Sequence, residues 1–483
     1  MIKKLSYLAF ICSLSTNVFA SEYSDWLASQ NQSFTMYKKS LDDEFSDMLK
    51  KQWTEYKTFN TPSAYNSKKP KVLPVIKKTI DIPLKELKKS VKIKIKPIKK
   101  TKASIPKRII QKPIYKYGYS NIEFDFFNQN IKIQYDDKVK FDLFDINQNN
   151  ISKSWKILSQ TDYKKLIKQI NNYSNLYKLN DWARYLLIHK IAMNIYDNKN
   201  KANIFTWFIF TKMKYDMKIA YSNENIYLLA NVKEKLYQVS FFTLENKRYS
   251  ILNPNGKAKS IGSIYTYPTS YPNANKKLTF DMQNHAINLS TNIKQRELEF
   301  KYKDTMYKIS AKFSSDLIDF YKTFPQSQYN LYYNSKKSTI LKNSLLVQLK
   351  PLIKNKTELE AVNLILRFVQ NAFLYKTDQE QFSYEKVFFP EETLFYKYSD
   401  CEDRSILFSY LVKNLTKLDV VGVKYKDHLS AAVNFSTNIK GDKFSFNNKI
   451  FTITDPTYIN ANVGKTMPQY KNSRFTIINQ SLF

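Results

Sequence analysis

The sequence of 483 residues contains few of the residues that build common cofactor and metal sites, with only 2 cysteines, 3 histidines and 6 glycines. So little glycine leaves no loop that could cradle a phosphate group, and neither a P-loop nor a dinucleotide-binding fingerprint is present. His189 lies among apolar residues of a predicted helix, and His285 lies in a polar turn. Neither has a second histidine or a carboxylate at ligand spacing. We therefore predict no metal site and no cofactor.

The first of the two cysteines, Cys12, lies in an apolar run that follows a basic N-terminus and ends at Ala20. A basic start, an apolar core and a small final residue are typical of a secretory signal peptide, so we predict one over residues 1–20. The protein would then be exported, to the periplasm or the cell surface, and an uncleaved membrane anchor is the alternative. No later run reaches the roughly 18 apolar residues of a membrane span, so we expect no further transmembrane helix.

Acidic residues are also few, since 42 Asp and Glu face 77 Lys and Arg, which gives a formal net charge of +35. About half of that charge comes from the proline-rich segment between Ser67 and Lys116. Such a segment cannot bury enough surface to order itself, so residues 61–116 are predicted to be an extended linker. It could bind an anionic envelope surface or act as a solvated spacer. No nucleic-acid-binding motif accompanies the lysines, so we expect no nucleic-acid partner, and an A/T-rich coding bias would explain the charge equally well.

An amphipathic pattern precedes this linker. Between Ser24 and Phe59, aromatic and aliphatic residues recur at steps of three and four, which predicts a helical segment over residues 21–60. One apolar stripe needs a partner surface. We expect the helix to dock on the catalytic unit described below, and a partner protein or a membrane face are the alternatives.

Two further regions separate the linker from the C-terminal part of the chain. Residues 117–255 read as an α+β domain, with helices followed by strands, and residues 256–315 as a small β-rich unit with an antiparallel hairpin. The order of helix, helix and strands in residues 117–255 also occurs near the C-terminus. We therefore consider an internal repeat, in which the first copy is degenerate and Asn225 falls where His428 lies in the second copy. An unrelated domain with the same common order is the alternative.

The C-terminal region, residues 316–483, carries the most specific pattern. Cys401, the only cysteine outside the predicted signal peptide, stands just before a helical apolar pattern. Its sulfur would lie at the helix N-terminus, where the helix dipole favours a thiolate. His428 and Asp455 each lie within or beside a short strand-like run. A cysteine at a helix start, with a base and an orienting carboxylate on consecutive strands, is the arrangement that a thiol nucleophile needs.

These residues resemble the transglutaminase-like superfamily, a papain-like cysteine fold in which Cys, His and Asp follow in that order along the chain. The segment Tyr398-Ser-Asp-Cys-Glu-Asp403 is similar to the Gly-Asp-Cys-Glu-Asp motif of a secreted bacterial branch, with Ser399 in place of the glycine. The resemblance covers about the last 130 residues. It implies an α+β fold in which Cys401 is the nucleophile, His428 the general base and Asp455 the residue that orients His428.

The implied activity is attack of the Cys401 thiolate on an amide carbonyl of a protein or peptide, with formation of a thioester. Water as the second reactant gives a peptidase or amidase, which the resemblance favours, and a lysine amine gives a crosslinking transglutaminase. The backbone N–H of Cys401 is a natural oxyanion donor, and the sequence does not identify a second one. We expect Asp403 to cap the helix or to pair with Arg404, and we do not assign chemistry to Asp400 or Glu402. A non-catalytic envelope scaffold with a vestigial triad is the other class of function.

Overall fold

The computed structural model describes residues 23, 26–30, 32–33, 36–51, 53–63, 69–70, 73–76, 117–254, 261–284, 286–289 and 291–478. The predicted signal peptide, His285 and most of the predicted linker lie outside these ranges. The described chain is α+β, as the sequence predicts. No helix in this described part is both long enough and apolar enough to span a bilayer.

In the N-terminal part, helix α1 covers residues 36–49, and the described residues 23, 26–30 and 32–33 before it are also helical. This part contains a seven-stranded sheet in the order β1-β9-β5-β6-β8-β7-β2. Its strands are β1 (Thr54–Lys57), β2 (Phe59–Asn60), β5 (Met217–Ser222), β6 (Asn225–Asn231), β7 (Ser240–Leu244), β8 (Lys247–Leu252) and β9 (Ser263–Thr266). A separate hairpin is formed by β3 (Tyr119–Phe126) and β4 (Gln129–Asp136). The helices are α2 (Gln148–Ser159), α3 (Tyr163–Leu176), α4 (Asp181–Tyr196) and α5 (Lys199–Lys212).

Helix α5 is the centre of this part. Its apolar run from Ile204 to Phe210 is buried on every side, because α4 packs against one flank and β5 and β6 against another. Asn198 begins the helix, with its side chain accepting a hydrogen bond from the Lys201 N–H. A helix that is apolar all round has to lie inside a domain, and this one does.

The prediction of one helical segment over residues 21–60 is wrong for its last part. The helix ends at residue 49, and residues 54–57 and 59–60 form edge strands that pair with β9 and β7. The predicted docking on the catalytic unit is also wrong. Phe45 packs edge-on against Trp155 of α2, with ring centroids 4.7 Å apart, and against Tyr267 at 5.8 Å. The end of the apolar stripe, with Phe45 and Leu49, therefore completes the core of the N-terminal part, whereas Trp26 and Tyr37 are exposed.

The β-rich unit predicted for residues 256–315 is not one unit. Strand β9 belongs to the N-terminal sheet, whereas β10 (Ile293–Tyr302) and β11 (Thr305–Ser314) form the predicted hairpin. That hairpin packs on the C-terminal part, where Phe300 lies 5.2 Å from Phe368, centroid to centroid. Local alternation identifies a hairpin, but the surface against which it packs is a tertiary property.

The C-terminal part has a five-stranded sheet in the order β16-β17-β15-β14-β18. The strands are β12 (Leu374–Tyr375), β13 (Tyr398–Ser399), β14 (Asp419–Lys424), β15 (Leu429–Asn434), β16 (Lys443–Phe446), β17 (Lys449–Thr454) and β18 (Thr476–Ile478), with β12 and β13 forming a separate parallel pair. The helices are α6 (Ser315–Lys322), α7 (Tyr329–Asn334), α8 (Thr339–Leu341), α9 (Val347–Ile353), α10 (Glu358–Asn371), α11 (Asp378–Phe382), α12 (Pro390–Phe395) and α13 (Cys401–Thr416). Helix α13 packs on α10 and on strands β14 and β15.

Candidate active site

Cys401 is the first residue of α13 and is buried, with 1% of its surface exposed. A capping box fixes this helix start, because the Asp403 carboxylate accepts a hydrogen bond from the Asp400 N–H at 3.1 Å. The other oxygen of Asp403 accepts from the Phe388 N–H at 2.9 Å. Asp403 therefore caps the helix, which is one of its two predicted roles. Arg404 turns instead to the carbonyl oxygens of the segment after α10 and to Ser399.

Ser399 occupies the position at which the resembling branch has glycine. It is the last residue of β13, and its hydroxyl accepts a hydrogen bond from Arg404 Nε at 3.1 Å. The Arg404 guanidinium also donates to the Phe373 carbonyl at 2.8 Å. The serine side chain thus has a partner of its own, and it ties the turn before Cys401 to the end of α10.

His428 and Asp455 are brought together by strand pairing. His428 is the last residue of the turn between β14 and β15, and Asp455 directly follows β17, which pairs with β15. The distance from His428 Nε2 to Asp455 Oδ2 is 2.8 Å, and both side chains are buried. Burial works against the charge of Asp455, but His428 and the hydrogen bonds from Thr457 outweigh it and lower the pKa of this carboxyl.

The other oxygen of Asp455 is also fixed. Asp455 Oδ1 accepts from the Thr457 N–H at 2.9 Å, from the Thr457 hydroxyl at 2.8 Å and from the Tyr458 N–H at 3.2 Å. The Gln370 amide of α10 donates to the backbone carbonyls of Asp455, Tyr458 and Ala461. The loop that carries Asp455 is therefore anchored to α10, and its carboxylate has little freedom to turn away from His428.

A hydrogen bond joins the cysteine helix to the histidine strand. The Ser405 hydroxyl, one turn after Cys401, donates to the Ser430 carbonyl at 2.8 Å, and Ser430 lies two residues after His428. The ring of Tyr470 stacks on the His428 imidazole, with centroids 5.0 Å apart and planes 13° from parallel. These contacts place the first turn of α13 beside the start of β15 and hold the plane of the imidazole.

The surroundings of Cys401 favour the protonated thiol. Its Sγ donates a hydrogen bond to Glu402 Oε2 at 2.9 Å. Burial raises the pKa of Cys401 well above its ordinary value, and the charges of Glu402 and Asp400 raise it further. Desolvation and two carboxylates therefore oppose the thiolate that the helix dipole is expected to favour.

Lys69 is the unexpected member of the site. Its Nζ contacts Asp400 at 2.6 Å, Glu385 at 2.7 Å and Asp378 at 3.3 Å, and it also bonds Glu402. Burial alone would lower the pKa of this lysine, but the attraction of Asp400, Glu402 and Asp378 raises it well above its ordinary value. The prediction that the whole basic segment is a solvated linker is therefore wrong at Lys69, whose side chain is 2% exposed.

The same carboxylates include groups close enough to ligate a metal ion. One group is formed by Asp400, Cys401 and Glu402 and another by Asp378, Glu385 and Glu402. Oxygen donors of this kind suit hard cations. The Lys69 ammonium supplies a positive charge at this cluster, so the donor set is already paired with a cation of the chain itself. His189, in contrast, is half-buried in α4, and desolvation lowers its pKa to about 4.

Sequence reasoning found Cys401, His428 and Asp455 but missed the residues that position them. Gln370 and Tyr470 carry no motif, and nothing in a pattern of lysines singles out Lys69. The acidic pair around the cysteine was visible in the sequence. Two carboxylates next to the apolar residues of a helix are seldom buried without a basic partner. This signal could have prompted a search for a basic residue such as Lys69.

Residues 330–475 match the family model described as a transglutaminase-like domain. The C-terminal part of the chain is therefore a transglutaminase-like domain, as the resemblance of the Cys401 segment implies. Comparison with curated proteins and with solved structures finds no match.

Proposed function

We propose that this protein is a thiol enzyme that acts on amide bonds through a thioester, with Cys401 as nucleophile, His428 as general base and Asp455 as the orienting carboxylate. The observation that carries the proposal is the buried contact of 2.8 Å between His428 Nε2 and Asp455 Oδ2. It occurs within a transglutaminase-like domain, a fold associated with cysteine enzymes. An imidazole held in this way by a carboxylate is prepared to accept and return a proton.

The contact with Asp455 favours the tautomer of His428 that carries its proton on Nε2, which leaves Nδ1 as the atom that accepts the thiol proton. The Cys401 thiolate then attacks the amide carbonyl, and the backbone N–H of Cys401 is available to the developing oxyanion because it opens α13. Collapse of the tetrahedral intermediate returns the proton to the leaving amine and forms a thioester. A second nucleophile releases the acyl group and regenerates the thiol.

We propose water as this second nucleophile, so that the protein is a peptidase or amidase with a protein or peptide substrate. A lysine amine in place of water would make it a crosslinking transglutaminase. One observation favours a different class, a scaffold without activity, because the Cys401 thiol is buried and donates to Glu402. The export of the protein to the periplasm or cell surface is a further proposal, and it rests on the N-terminal sequence alone.

The test is detection of the acyl-enzyme. The full chain is incubated with glutamine-containing peptides and quenched in acid, and the intact mass is measured. We expect a peptide adduct on Cys401, ammonia or amine release, and no adduct in Cys401→Ala. Hydroxylamine added during turnover should divert the acyl group to a hydroxamate. If neither adduct nor hydroxamate forms, in the full chain or in a Lys69→Met variant, the enzyme proposal is wrong and the scaffold is favoured.

A further inference from the structure

Described residues that follow Lys69 contact two parts of the candidate active site. Beside Lys69, the Pro70 carbonyl accepts a hydrogen bond from the Tyr375 hydroxyl at 2.6 Å. A few residues later, Ile459 N donates to the Pro74 carbonyl at 3.2 Å, and Ile76 N donates to the Ile459 carbonyl at 3.1 Å. One end of this segment therefore lies at the cysteine helix, and the other lies at the loop that carries Asp455.

The carboxyl groups around Lys69 outnumber the single ammonium group that contacts them. Four carboxylates, Asp378, Glu385, Asp400 and Glu402, contact a single ammonium group. Asp400 is fully buried, and its Oδ1 has no hydrogen-bond partner among the described residues. Burying a carboxylate oxygen without a partner is costly. A pocket with this surplus of acceptors is built for a cation with several N–H groups, which is what an alkylammonium offers.

We propose that the carboxylates beside Cys401 form a binding site for an alkylammonium group, and that Lys69 occupies it as an intramolecular ligand that keeps the thiol covered. The segment of residues 69–70 and 73–76 then lies across the site in the manner of a peptide ligand. Displacing it exposes both the thiol and an acidic subsite that accepts the cationic side chain of another peptide. The inference uses the proposed function only in taking Cys401 as the reactive group.

Lys69→Met tests the cover, because methionine has nearly the length of lysine but no charge. Alkylation of Cys401 by the neutral reagent iodoacetamide is followed from pH 6 to pH 10, and the rate constant of the ionised thiol is taken from the profile. We expect this rate constant to rise at least tenfold in Lys69→Met. Lys386→Met is the matched control, since Lys386 is also buried and bonds Glu392 at 2.6 Å, but the structure shows no contact between it and Cys401 or Lys69.

Glu385→Gln is a second, gentler variant, because Glu385 is 16% exposed and contacts Lys69 from the rim of the cluster. It should raise the rate constant severalfold while the domain stays folded, as judged by an unchanged thermal unfolding midpoint. An equal rate constant in the original chain, Lys69→Met and Glu385→Gln, with all three folded, overturns the proposal. These measurements need no turnover, so they succeed or fail independently of the proposed enzymatic activity.

The ammonium site itself is tested with n-butylammonium chloride in Lys69→Ala, because the short side chain leaves the site vacant. We expect this probe to slow the alkylation of Cys401 at least fivefold and in a saturable manner, whereas sodium chloride at the same ionic strength has no such effect. Protection by calcium chloride but not by n-butylammonium would identify a metal site and overturn the proposal. Equal protection by sodium chloride would reveal only screening of the cluster and would overturn it as well.

Discussion

The two large sheets of this protein have the same strand order. The N-terminal sheet contains the sequence of neighbours β9-β5-β6-β8-β7, and the C-terminal sheet contains β18-β14-β15-β17-β16, so the five strands correspond one to one in chain order. All of these pairings are antiparallel. In each half, two packed helices precede the strands, and the second of them lies on the first two strands. This agreement supports the internal repeat that the sequence suggests.

One hydrogen bond aligns the halves residue by residue. In the C-terminal half, Ser405 of α13 donates to the Ser430 carbonyl of β15 at 2.8 Å. In the N-terminal half, Asn203 of α5 donates to the Ile226 carbonyl of β6 at 2.7 Å. Since Ser405 and Asn203 are each four residues past the first residue of their helix, the position of Cys401 corresponds to Lys199.

The halves differ where the chemistry would occur. The turn before β15 has four residues, 425–428, and ends in His428, whereas the turn before β6 has only residues 223 and 224. The strand register places Asn225 opposite Ser222, as it places Leu429 opposite Lys424. Asn225 therefore corresponds to Leu429, and the expectation that it occupies the position of His428 is wrong by one residue. The two halves share one arrangement of strands, but the cysteine and the histidine of the candidate site occur only in the half whose turn is long enough to include His428.

The largest effect should come from the cysteine position. Cys401→Ala is expected to lower turnover on the order of 10⁶-fold, and His428→Ala nearly as much, because nucleophile and base act as a unit. Lys199→Ala, at the corresponding position of the other half, should leave turnover unchanged. Initial rates with the peptide that forms the acyl-enzyme measure both. Full activity in Cys401→Ala would mean that the halves are alike in lacking a thiol site.

Asp455→Asn should have the next largest effect, a loss on the order of 10⁴-fold in kcat, because orientation of His428 is weakened while the nucleophile remains. The pH profile separates this role from a structural one. The amide cannot stabilise the imidazolium, so the pH at which activity reaches half its maximum should shift. A fall in activity with an unshifted profile, together with a lower unfolding midpoint, would assign Asp455 to stability alone.

The third prediction concerns strand position 422, where the halves differ by one methyl group. A Cβ on Gly422 would lie 2.7 Å from the Tyr333 hydroxyl. This hydroxyl forms a hydrogen bond with Ser405, which lies on the cysteine helix α13. Gly422→Ala should therefore reduce the free energy of unfolding by about 1–3 kcal/mol through overpacking. The register places Ala220 at the corresponding position, and Ala220→Gly should cost less, about 0.5–1 kcal/mol. Urea unfolding of both variants checks the order, and the reverse order would contradict the alignment of β5 with β14.

The fourth prediction is a pH dependence of stability that arises from Asp400 in the C-terminal half. Burial, and then Glu402, raise the pKa of Asp400 to about 7 from its ordinary 3.8. A carboxyl whose pKa is raised by folding contributes stability that is complete below its unfolded pKa and is lost as pH rises through its folded pKa. Between pH 4 and pH 7 this contribution should fall, by on the order of 1 kcal/mol per pKa unit.

Urea unfolding at pH 5 and at pH 8 measures that loss. Asp400→Asn should lose less stability than the original chain over this interval, because the amide does not titrate. Asn253→Asp is the control, because it places a carboxylate directly after β8 in the other half. It shows whether any carboxylate that follows a strand produces the same loss of stability between pH 5 and pH 8. An equal pH dependence in Asp400→Asn and the original chain would contradict the assignment of Asp400 as the titrating group.

Local patterns account for what could be predicted. The helix that begins at Cys401, the hairpin with its turn after Tyr302 and the apolar helix from Ile204 to Phe210 each follow from periodicity or from a turn signal, and each is found. The prediction that the helix continues to Phe59 is wrong. The apolar spacing suits a helix, but these residues pair with the edge of a sheet instead. The sequence-based prediction for Lys69 fails because the neighbouring lysines are identical in type. Nothing in the local sequence indicates that Lys69 contacts carboxylates.

The amino-acid sequence by itself determined the α+β class, the order of Cys401, His428 and Asp455, and the family of the C-terminal domain, because these depend on residue type, spacing and short-range pattern. Only the tertiary structure decided that His428 reaches Asp455, that the two halves share one strand order, and that Lys69 meets the carboxylates beside Cys401. The physical reason is that strand pairing and ion pairing act between residues far apart in the chain. Lys69 and Asp400 are separated by 331 positions, and no local propensity records their contact.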